Sequence, residues 1–174
     1  MRNFLSRLFS PPPFQQEAHT AYSVLVTRAR DPFFYTECAV PDTLDGRFDV
    51  IVLQLFLVLS RLKDEADPRA ALFSRALQEA FFTDMDRSIR EMGVSDTGVG
   101  KRIKKMAEAF LGRLHAYEAS KNDSALFREH LAKNLYRASA PGEATLPLAL
   151  LQAIDARREA LARLPLSAVL AGVV

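Results

Sequence analysis

Two aspartates in the stretch FFTDMDRSIREMG, residues 81–93, are the first residues whose type and spacing suggest chemistry. Asp84 and Asp86 could form an acid–base pair, share a metal ion, or be charges on the edge of a packed helix. On a helix the two differ by about 200° in direction, because each residue turns the chain by about 100°. Their carboxylates then point to nearly opposite sides. Helical geometry therefore argues against a dyad or a shared metal site and favours a charged helix edge.

The charged neighbours fit the same helix. Asp86 with Arg90, and Arg87 with Glu91, are four residues apart, a spacing that allows ion pairs worth a few tenths of a kcal/mol. Asp84 lies beside the apolar stripe of this helix, where an unpaired carboxylate would be costly. We expect its partner to be a Lys or Arg of the basic segment that follows.

Other chemical motifs are weak. The segment GVSDTGVGK lacks the first glycine and the final hydroxyl of a phosphate-binding loop, since Ser95 and Arg102 occupy those places. The three histidines, at positions 19, 115 and 130, do not have the spacing of zinc ligands. We therefore expect no catalytic residues, no metal and no cofactor. A small helical enzyme remains an alternative that a closed pocket with convergent polar groups would revive.

Apolar residues recur at helical spacing along nearly the whole chain, which predicts an all-α, single-domain bundle of about six to seven helices. Proline, glycine and capping residues divide it into helices near 16–30, 42–65, 67–92, 96–120, 124–135 and 148–163. The segment FFYTECAVPD is predicted to be an inward-packing connector. Residues 1–13 are predicted to be a short amphipathic segment and residues 14–174 the helical domain.

Composition restricts the class of protein. A net charge of +2 gives no reason to expect a sequence-specific nucleic-acid partner, and the single Cys38 excludes an intrachain disulfide. The longest uncharged runs are too short for a membrane-spanning helix, which needs about 20 residues. Basic residues cluster at 101–105, and this cluster could meet phosphate, anionic lipid or an acidic protein surface, or could simply be a solvated helix face.

Three motifs carry a resemblance to a known family. They are D-T-x-D-G-R-F at 42–48, D-M-D-x-x-x-R-E-M-G-V at 84–94 and V-G-K-x-I-K-x-M-x-x-x-F-x-G-R at 99–113. Over about residues 20–120 the chain resembles the ubiquinol–cytochrome c chaperones, which assist assembly of the cytochrome bc1 complex. It departs from the family pattern at Gln54, where a histidine is common, and at Leu111, where an aromatic residue is common.

The resemblance implies a non-enzymatic helical assembly factor that binds newly made cytochrome b. It also implies a small partner protein and contact with the ribosome or the inner membrane surface. With no long presequence before the domain, the chain is expected to be a bacterial member, cytoplasmic or peripheral at the inner face of the cytoplasmic membrane. The departure at Gln54 makes a haem-ligand role unavailable at that position.

Candidate partner-binding residues fall into two groups, aromatic anchors and charged motif residues. The aromatic candidates are Phe33, Phe34, Tyr35, Phe81 and Phe82, each of which could instead be a core residue. The charged candidates are Arg47, Asp84, Asp86, Arg90, Lys101, Lys104, Lys105 and Arg113. The leading hypothesis is a chaperone with an apolar groove rimmed by charge. The alternative is a peripheral membrane or ribosome-surface binder that uses the basic helix 101–113.

Overall fold

The computed structural model of the chain describes residues 13–93, 96–138 and 145–174. Within these ranges the chain forms helices and no strand, which confirms the all-α prediction. The helices are α1 (Gln15–Ala29), α2 (Phe33–Thr36), α3 (Leu44–Lys63), α4 (Pro68–Glu91), α5 (Asp96–Ser120), α6 (Ser124–Tyr136), α7 (Leu148–Arg163) and α8 (Leu166–Leu170). The single turn α2 lies within the predicted connector, and the single turn α8 lies in the apolar segment that follows α7. The predicted amphipathic segment lies outside the described residues except for Pro13.

Short oxygen-bearing side chains begin the helices where the sequence predicts. Thr43 accepts a hydrogen bond from the Gly46 amide at 3.0 Å at the start of α3. Asp67 accepts from the Arg69 amide at 2.9 Å at the start of α4, whose first residue is a proline. Asp123 caps α6 in the same way, with bonds of 3.0 Å to two amides. These contacts satisfy amide groups that a helix start otherwise leaves without acceptors.

Helix α3 is the centre of the bundle. Residues 52–59 are all buried, as expected for a helix that is apolar all round. It contacts α1, α4, α5, α6 and α7. Phe81 of α4 connects the helices around it, since its ring stacks on Phe110 of α5 at 4.8 Å and packs near Phe48 of α3 and Tyr22 of α1 at 6.1 and 6.2 Å.

The apolar tail that follows α7 closes one side of the bundle. Val169, Leu170 and Val174 are buried, and α8 packs against α4. Gly172 has a φ of 87°, and a Cβ there would lie 2.8 Å from the Glu17 carbonyl oxygen of α1. Tail burial therefore accounts for the uncharged run at residues 164–174. Across the described part of the chain, no helix combines the length and hydropathy needed to cross a bilayer.

Candidate functional site

An open groove of about 650 Å³ lies between the end of α3, the start of α4 and the middle of α5. Phe56, Leu59 and Leu62 of α3 contribute its buried apolar floor. Leu111 of α5 stands on its wall with 58% of its surface exposed, and Leu114 one turn further on is half-buried. Single exposed apolar side chains are ordinary on protein surfaces, but Leu111 continues an apolar floor, and contiguous apolar surface of this kind marks interaction sites. We call the concavity lined by these residues the apolar groove.

Paired charges line one rim of the apolar groove. The Glu118 carboxylate of α5 accepts hydrogen bonds from Lys63 Nζ at 2.8 Å and Ser60 Oγ at 3.0 Å, both on α3, and lies 3.1 Å from Lys121 Nζ. Burial pushes the pKa of Glu118 upward, but the hydrogen bonds from Lys63, Lys121 and Ser60 together hold it below its usual value. Glu118 is therefore an ionised, fully partnered carboxylate that fixes α5 to α3.

The chemistry of the apolar groove favours binding an apolar segment. Its charged lining residues have ion-pair partners: Glu118 with Lys63, Glu65 with Arg61, Asp67 with Arg69 and Arg75 with Glu79. His115 is exposed. The concavity is open to solvent along its length, unlike the enclosed polar pocket that an enzyme would be expected to have. Among the described residues, no three His, Cys, Asp or Glu side chains come together to hold a metal ion.

The predicted aromatic anchors lie elsewhere, mostly inside the bundle. Phe34 and Phe81 are buried, while Phe33, Tyr35 and Phe82 are half-buried and pack against the core. The Tyr35 hydroxyl donates to the Ala29 carbonyl at 2.5 Å. None of the five lines the apolar groove. Their use as anchors for a client stays a prediction, and their packing favours the alternative interpretation as core residues.

The prediction that a Lys or Arg of α5 pairs with Asp84 is wrong. Its carboxylate accepts a hydrogen bond from the Tyr22 hydroxyl of α1 at 2.9 Å and pairs with Arg87 of its own helix at 2.5 Å, so no base of α5 is needed. Burial, and then the negative charge of Asp84, raise the pKa of the Tyr22 hydroxyl strongly. Position along the sequence suggested the next helix as the source of the partner, but α4 packs this edge against α1.

The two ion pairs expected on α4 are present. Arg90 Nε lies 2.7 Å from Asp86, and Arg87 Nε lies 3.9 Å from Glu91. All four residues belong to the same solvent-facing side of the helix end, where such pairs contribute little free energy. Whether Asp86 and Arg90 also bind a partner stays a prediction.

The motif D-T-x-D-G-R-F builds the start of α3. Thr43 provides the cap, and Arg47 forms a two-point ion pair with Asp42, with contacts of 2.6 and 3.2 Å. A Cβ on Gly46 would lie 1.9 Å from the Pro41 carbonyl oxygen, so only glycine fits where the preceding loop crosses the helix. The local folding of this turn explains the motif, and the Arg47 guanidinium also lies over the Tyr35 ring at 5.9 Å.

Arg113 has a structural partner that the sequence did not reveal. Its Nε lies 2.7 Å from Asp49 of α3, a carboxylate with no exposed surface, and Arg137 at the end of α6 approaches the other oxygen at 2.7 Å. The Asp49 contacts are ion pairs without the alignment of regular hydrogen bonds. Burial raises the pKa of Asp49 to about 6, although both arginines oppose that shift. The only sequence signal was an aspartate placed directly before the apolar run VIVLQLFLVL.

The basic cluster is on the surface, away from the apolar groove. Lys101, Lys104 and Lys105 are exposed at the beginning of α5, and no ion-pair partner is found for them among the described residues. The six residues from Lys105 to Leu111, where the groove begins, correspond to roughly 9 Å along the helix. A ligand of the basic cluster would therefore contact a different part of α5 from a ligand in the apolar groove.

The sequence and fold are similar to those of known proteins. A family model described as ubiquinol-cytochrome C chaperone matches residues 36–174. The chain is 27% identical over 116 residues to the ubiquinol-cytochrome-c reductase complex assembly factor 1 of Xenopus laevis, covering 66% of this chain and 57% of that protein. It thus spans little more than half the length of this curated relative.

A solved structure agrees with the sequence comparisons. The crystal structure of the Cbp3 homolog from Brucella abortus superposes with a TM-score of 0.76 at 33% identity, covering 100% of this chain and 95% of that one. The family match continues to residue 174, well beyond the region near 120 where recognisable motifs end, so α6 to α8 are part of the shared fold. The chain belongs to the ubiquinol-cytochrome C chaperone family.

Proposed function

We propose that this protein is a non-enzymatic chaperone for assembly of the cytochrome bc1 complex, and that it holds an apolar segment of newly made cytochrome b in the apolar groove. The observation that carries the proposal is the exposed Leu111 beside a buried apolar floor, in a chain of this family. A membrane subunit that is not yet assembled has apolar segments whose exposure to water is unfavourable. A groove of this kind shields such a segment reversibly.

The construction of the groove suits reversible binding. Its apolar residues come from α3, α4 and α5, so the floor is set by core packing and needs little rearrangement to bind. The Glu118 carboxylate at the rim already has its own bases, so a client would not need to supply a charge to satisfy it. Apolar contact then provides most of the affinity, which allows binding of more than one apolar sequence.

A charge in the groove tests this proposal. Leu111→Lys places an ammonium group over the apolar floor, and Leu72→Lys is a matched control because Leu72 is an equally large, 47% exposed side chain on α4 outside the groove. Each variant is expressed in a strain deleted for the gene. We expect Leu111→Lys to reduce both the cytochrome b that co-purifies with the protein and the amount of assembled bc1 complex. Leu72→Lys should retain both.

Two outcomes would contradict the proposal. If Leu111→Lys folds, retains its thermal stability and supports normal levels of bc1 complex, the apolar groove does not hold the client. If the deletion strain itself assembles the complex normally, the chaperone function is wrong. The same purification reveals any small partner protein, which is expected to co-elute with the wild-type protein.

A second function is favoured by the exposed bases at the start of α5. We propose that the basic cluster attaches the chain to an anionic surface, either the inner face of the cytoplasmic membrane or the ribosome, near the site where cytochrome b is inserted. Exposed lysines for which the described part of the chain provides no ion-pair partner keep their full attraction for phosphates. Binding of this kind weakens steeply as salt is added.

Charge reversal tests the attachment separately. Lys101→Glu combined with Lys104→Glu and Lys105→Glu should abolish sedimentation with anionic vesicles or with ribosomes, and leave the apolar groove intact. Retention that does not depend on salt, or that survives the triple substitution, would rule out the basic cluster as the attachment site.

A further inference from the structure

The amphipathic segment that precedes α1 has an apolar stripe in its sequence. Four large apolar residues recur there at the spacing of one helix face: Phe4, Leu5, Leu8 and Phe9. Residues 1–12 also contain two arginines and no acidic residue. Burying such a stripe is favourable wherever an apolar surface lies within reach, and the question is which surface of the bundle that is.

The chain enters the bundle from this segment at a fixed point. The Phe14 ring packs edge-on against Phe73 of α4, with the ring centroids 5.8 Å apart. The Phe14 backbone has a φ of 66°, a left-handed conformation that is unusual for an aromatic residue and needs support from tertiary contacts. Pro13, the residue before it, is exposed. The segment therefore meets the bundle at its surface, beside α4.

This entry point is at the end of the bundle where the apolar groove lies. Phe14 meets Phe73 and, eight residues further along each helix, Tyr22 meets Phe81 at 6.2 Å. Equal steps along both helices mean that α1 and α4 run parallel, so the start of α1 lies near the start of α4. The residues at the start of α4 that line the apolar groove are Asp67, Pro68 and Ala71.

The connection is long enough to reach the apolar groove. Phe73 is five residues from Pro68, which corresponds to roughly 7.5 Å along α4. Consecutive prolines favour an extended backbone that rises about 3.1 Å per residue, so residues 11–13 can span about 9 Å. A helix of residues 4–9 has a length of about 9 Å, and residues 111–118 of α5, which form the opposite wall of the groove, extend about 12 Å. The stripe and the groove therefore match in length.

We propose that residues 4–9 of the same chain occupy the apolar groove when no client is bound, with their apolar stripe on Leu111 and the buried floor. The inference rests on the proposed function, because it names what competes with the client for that surface. The charged residues that line the groove already have partners, so apolar contact supplies the affinity and the two arginines stay in water. A short tether gives the segment an effective concentration in about the millimolar range, so weak contacts suffice.

Occupation by its own segment regulates the chaperone. The segment covers apolar surface between clients, and covered surface does not associate with unrelated proteins. A client with a longer apolar stretch displaces the segment, because it buries more area in the same groove. The apparent affinity for every client is lowered by the fraction of the chain in which the groove is open.

Thiol modification of a cysteine in the groove measures whether the groove is covered. Ala71→Cys places this reporter at the exposed start of α4 in the full chain, and the native Cys38 does not interfere because it has no exposed surface. The rate is compared between Ala71→Cys alone and Ala71→Cys combined with Leu5→Glu and Leu8→Glu. The two glutamates should accelerate modification roughly tenfold, which corresponds to a groove that is covered about nine-tenths of the time.

Two matched controls separate docking from other effects. Asn3→Glu with Ser10→Glu adds the same charge to the segment on the face opposite its apolar stripe, and should leave the rate at Ala71→Cys unchanged. Ala125→Cys places the reporter at an exposed alanine of α6 that does not line the groove. Its rate should be the same with and without the substitutions at Leu5 and Leu8.

Any of three results overturns the proposal. They are an unchanged rate in the chain with Leu5→Glu and Leu8→Glu, an equal acceleration by the control pair, and protection that increases with protein concentration. The last result assigns the groove to the segment of a second copy. Because the assay contains no client, its failure leaves the proposed function standing, which Leu111→Lys tests separately.

Co-purification of cytochrome b then connects the segment to the client. If both bind the apolar groove, the chain with Leu5→Glu and Leu8→Glu should retain more cytochrome b than the wild type. Accelerated thiol modification without a gain in cytochrome b supports docking of the segment and counts against the groove as the client site.

Discussion

Replacing Arg113 by Met is expected to destabilise the protein in a way that depends on pH. The substitution removes the 2.7 Å contact between Arg113 and Asp49 and leaves a carboxylate with no exposed surface facing only Arg137, which is itself 46% exposed. Breaking a buried ion pair by removing one partner costs about 3–5 kcal/mol. The guanidinium also lies over the Phe48 ring at 5.4 Å, and losing that contact adds about 0.5–1 kcal/mol at every pH.

The sign of the pH dependence follows from the raised pKa of Asp49. In the folded wild type this pKa is about 6, above the value of 3.8 for an ordinary aspartate, because burial outweighs both arginines. The contribution of Asp49 to stability is thus fully present below about pH 4 and is lost as the pH rises through 6. Arg113 holds this pKa down, so its removal raises it further. The ion-pair part of the cost should be fully present above the new pKa and should disappear as the pH falls below about 6, where a neutral Asp49 needs no partner.

Urea unfolding of the wild type and Arg113→Met at pH 8.5 and at pH 5, followed by circular dichroism, measures both parts, because these pH values lie on either side of the wild-type Asp49 pKa of about 6. Asp49→Asn, alone and combined with Arg113→Met, completes a double-mutant cycle. In the Asp49→Asn background the effect of Arg113→Met should be small and independent of pH. A cost below about 1 kcal/mol at the higher pH, or an equal cost at both pH values, would refute the argument that Arg113 compensates a buried charge.

Three further substitutions test separate parts of the structure. Gly46→Ala should destabilise the start of α3 by about 2 kcal/mol or more in thermal unfolding, because its Cβ would overlap the Pro41 carbonyl oxygen at 1.9 Å; an unchanged melting temperature would contradict that close approach. Gly112→Ala should stabilise the protein by about 0.5–1 kcal/mol, since this mid-helix glycine has open space where a Cβ would be. If the variant also loses client binding, the backbone of a partner must approach the protein at Gly112. Tyr22→Phe should lower the free energy of unfolding in urea by about 1–2 kcal/mol, because Asp84 loses the 2.9 Å hydrogen bond that joins α4 to α1. An unchanged free energy of unfolding would show that Arg87 alone satisfies the Asp84 carboxylate.

The start of α3 shows how much local sequence can predict. The cap at Thr43 depends on residues a few positions away, and the structure has its hydroxyl accepting from the Gly46 amide. The same is true of the ion pair between Asp86 and Arg90, because a helix fixes the distance between residues four apart. Local patterns of this kind also predicted the helical class and most helix boundaries.

The partners of Asp84 and Arg113 could not be predicted in this way. Tyr22 is 62 residues from Asp84 in the chain, and Asp49 and Arg113 lie on different helices. Which helices become neighbours depends on how whole apolar faces pack, and a single sequence records the faces without recording the pairing. The aromatic candidates illustrate the same limit, since an exposed anchor and a core aromatic have the same spacing along a helix.

By itself, then, the sequence determined an all-helical chain with defined helix starts, and its motifs indicated the family. The apolar groove exists only because α3, α4 and α5 meet, so no segment contains its shape, and Leu111 is one apolar residue among many until the packing leaves it exposed. The burial of the carboxylate of Asp49 between Arg113 and Arg137 likewise became visible only when α3, α5 and α6 met. Helix formation depends on neighbours a few residues away, whereas grooves and buried charges depend on contacts between distant segments, and the tertiary structure alone decides those.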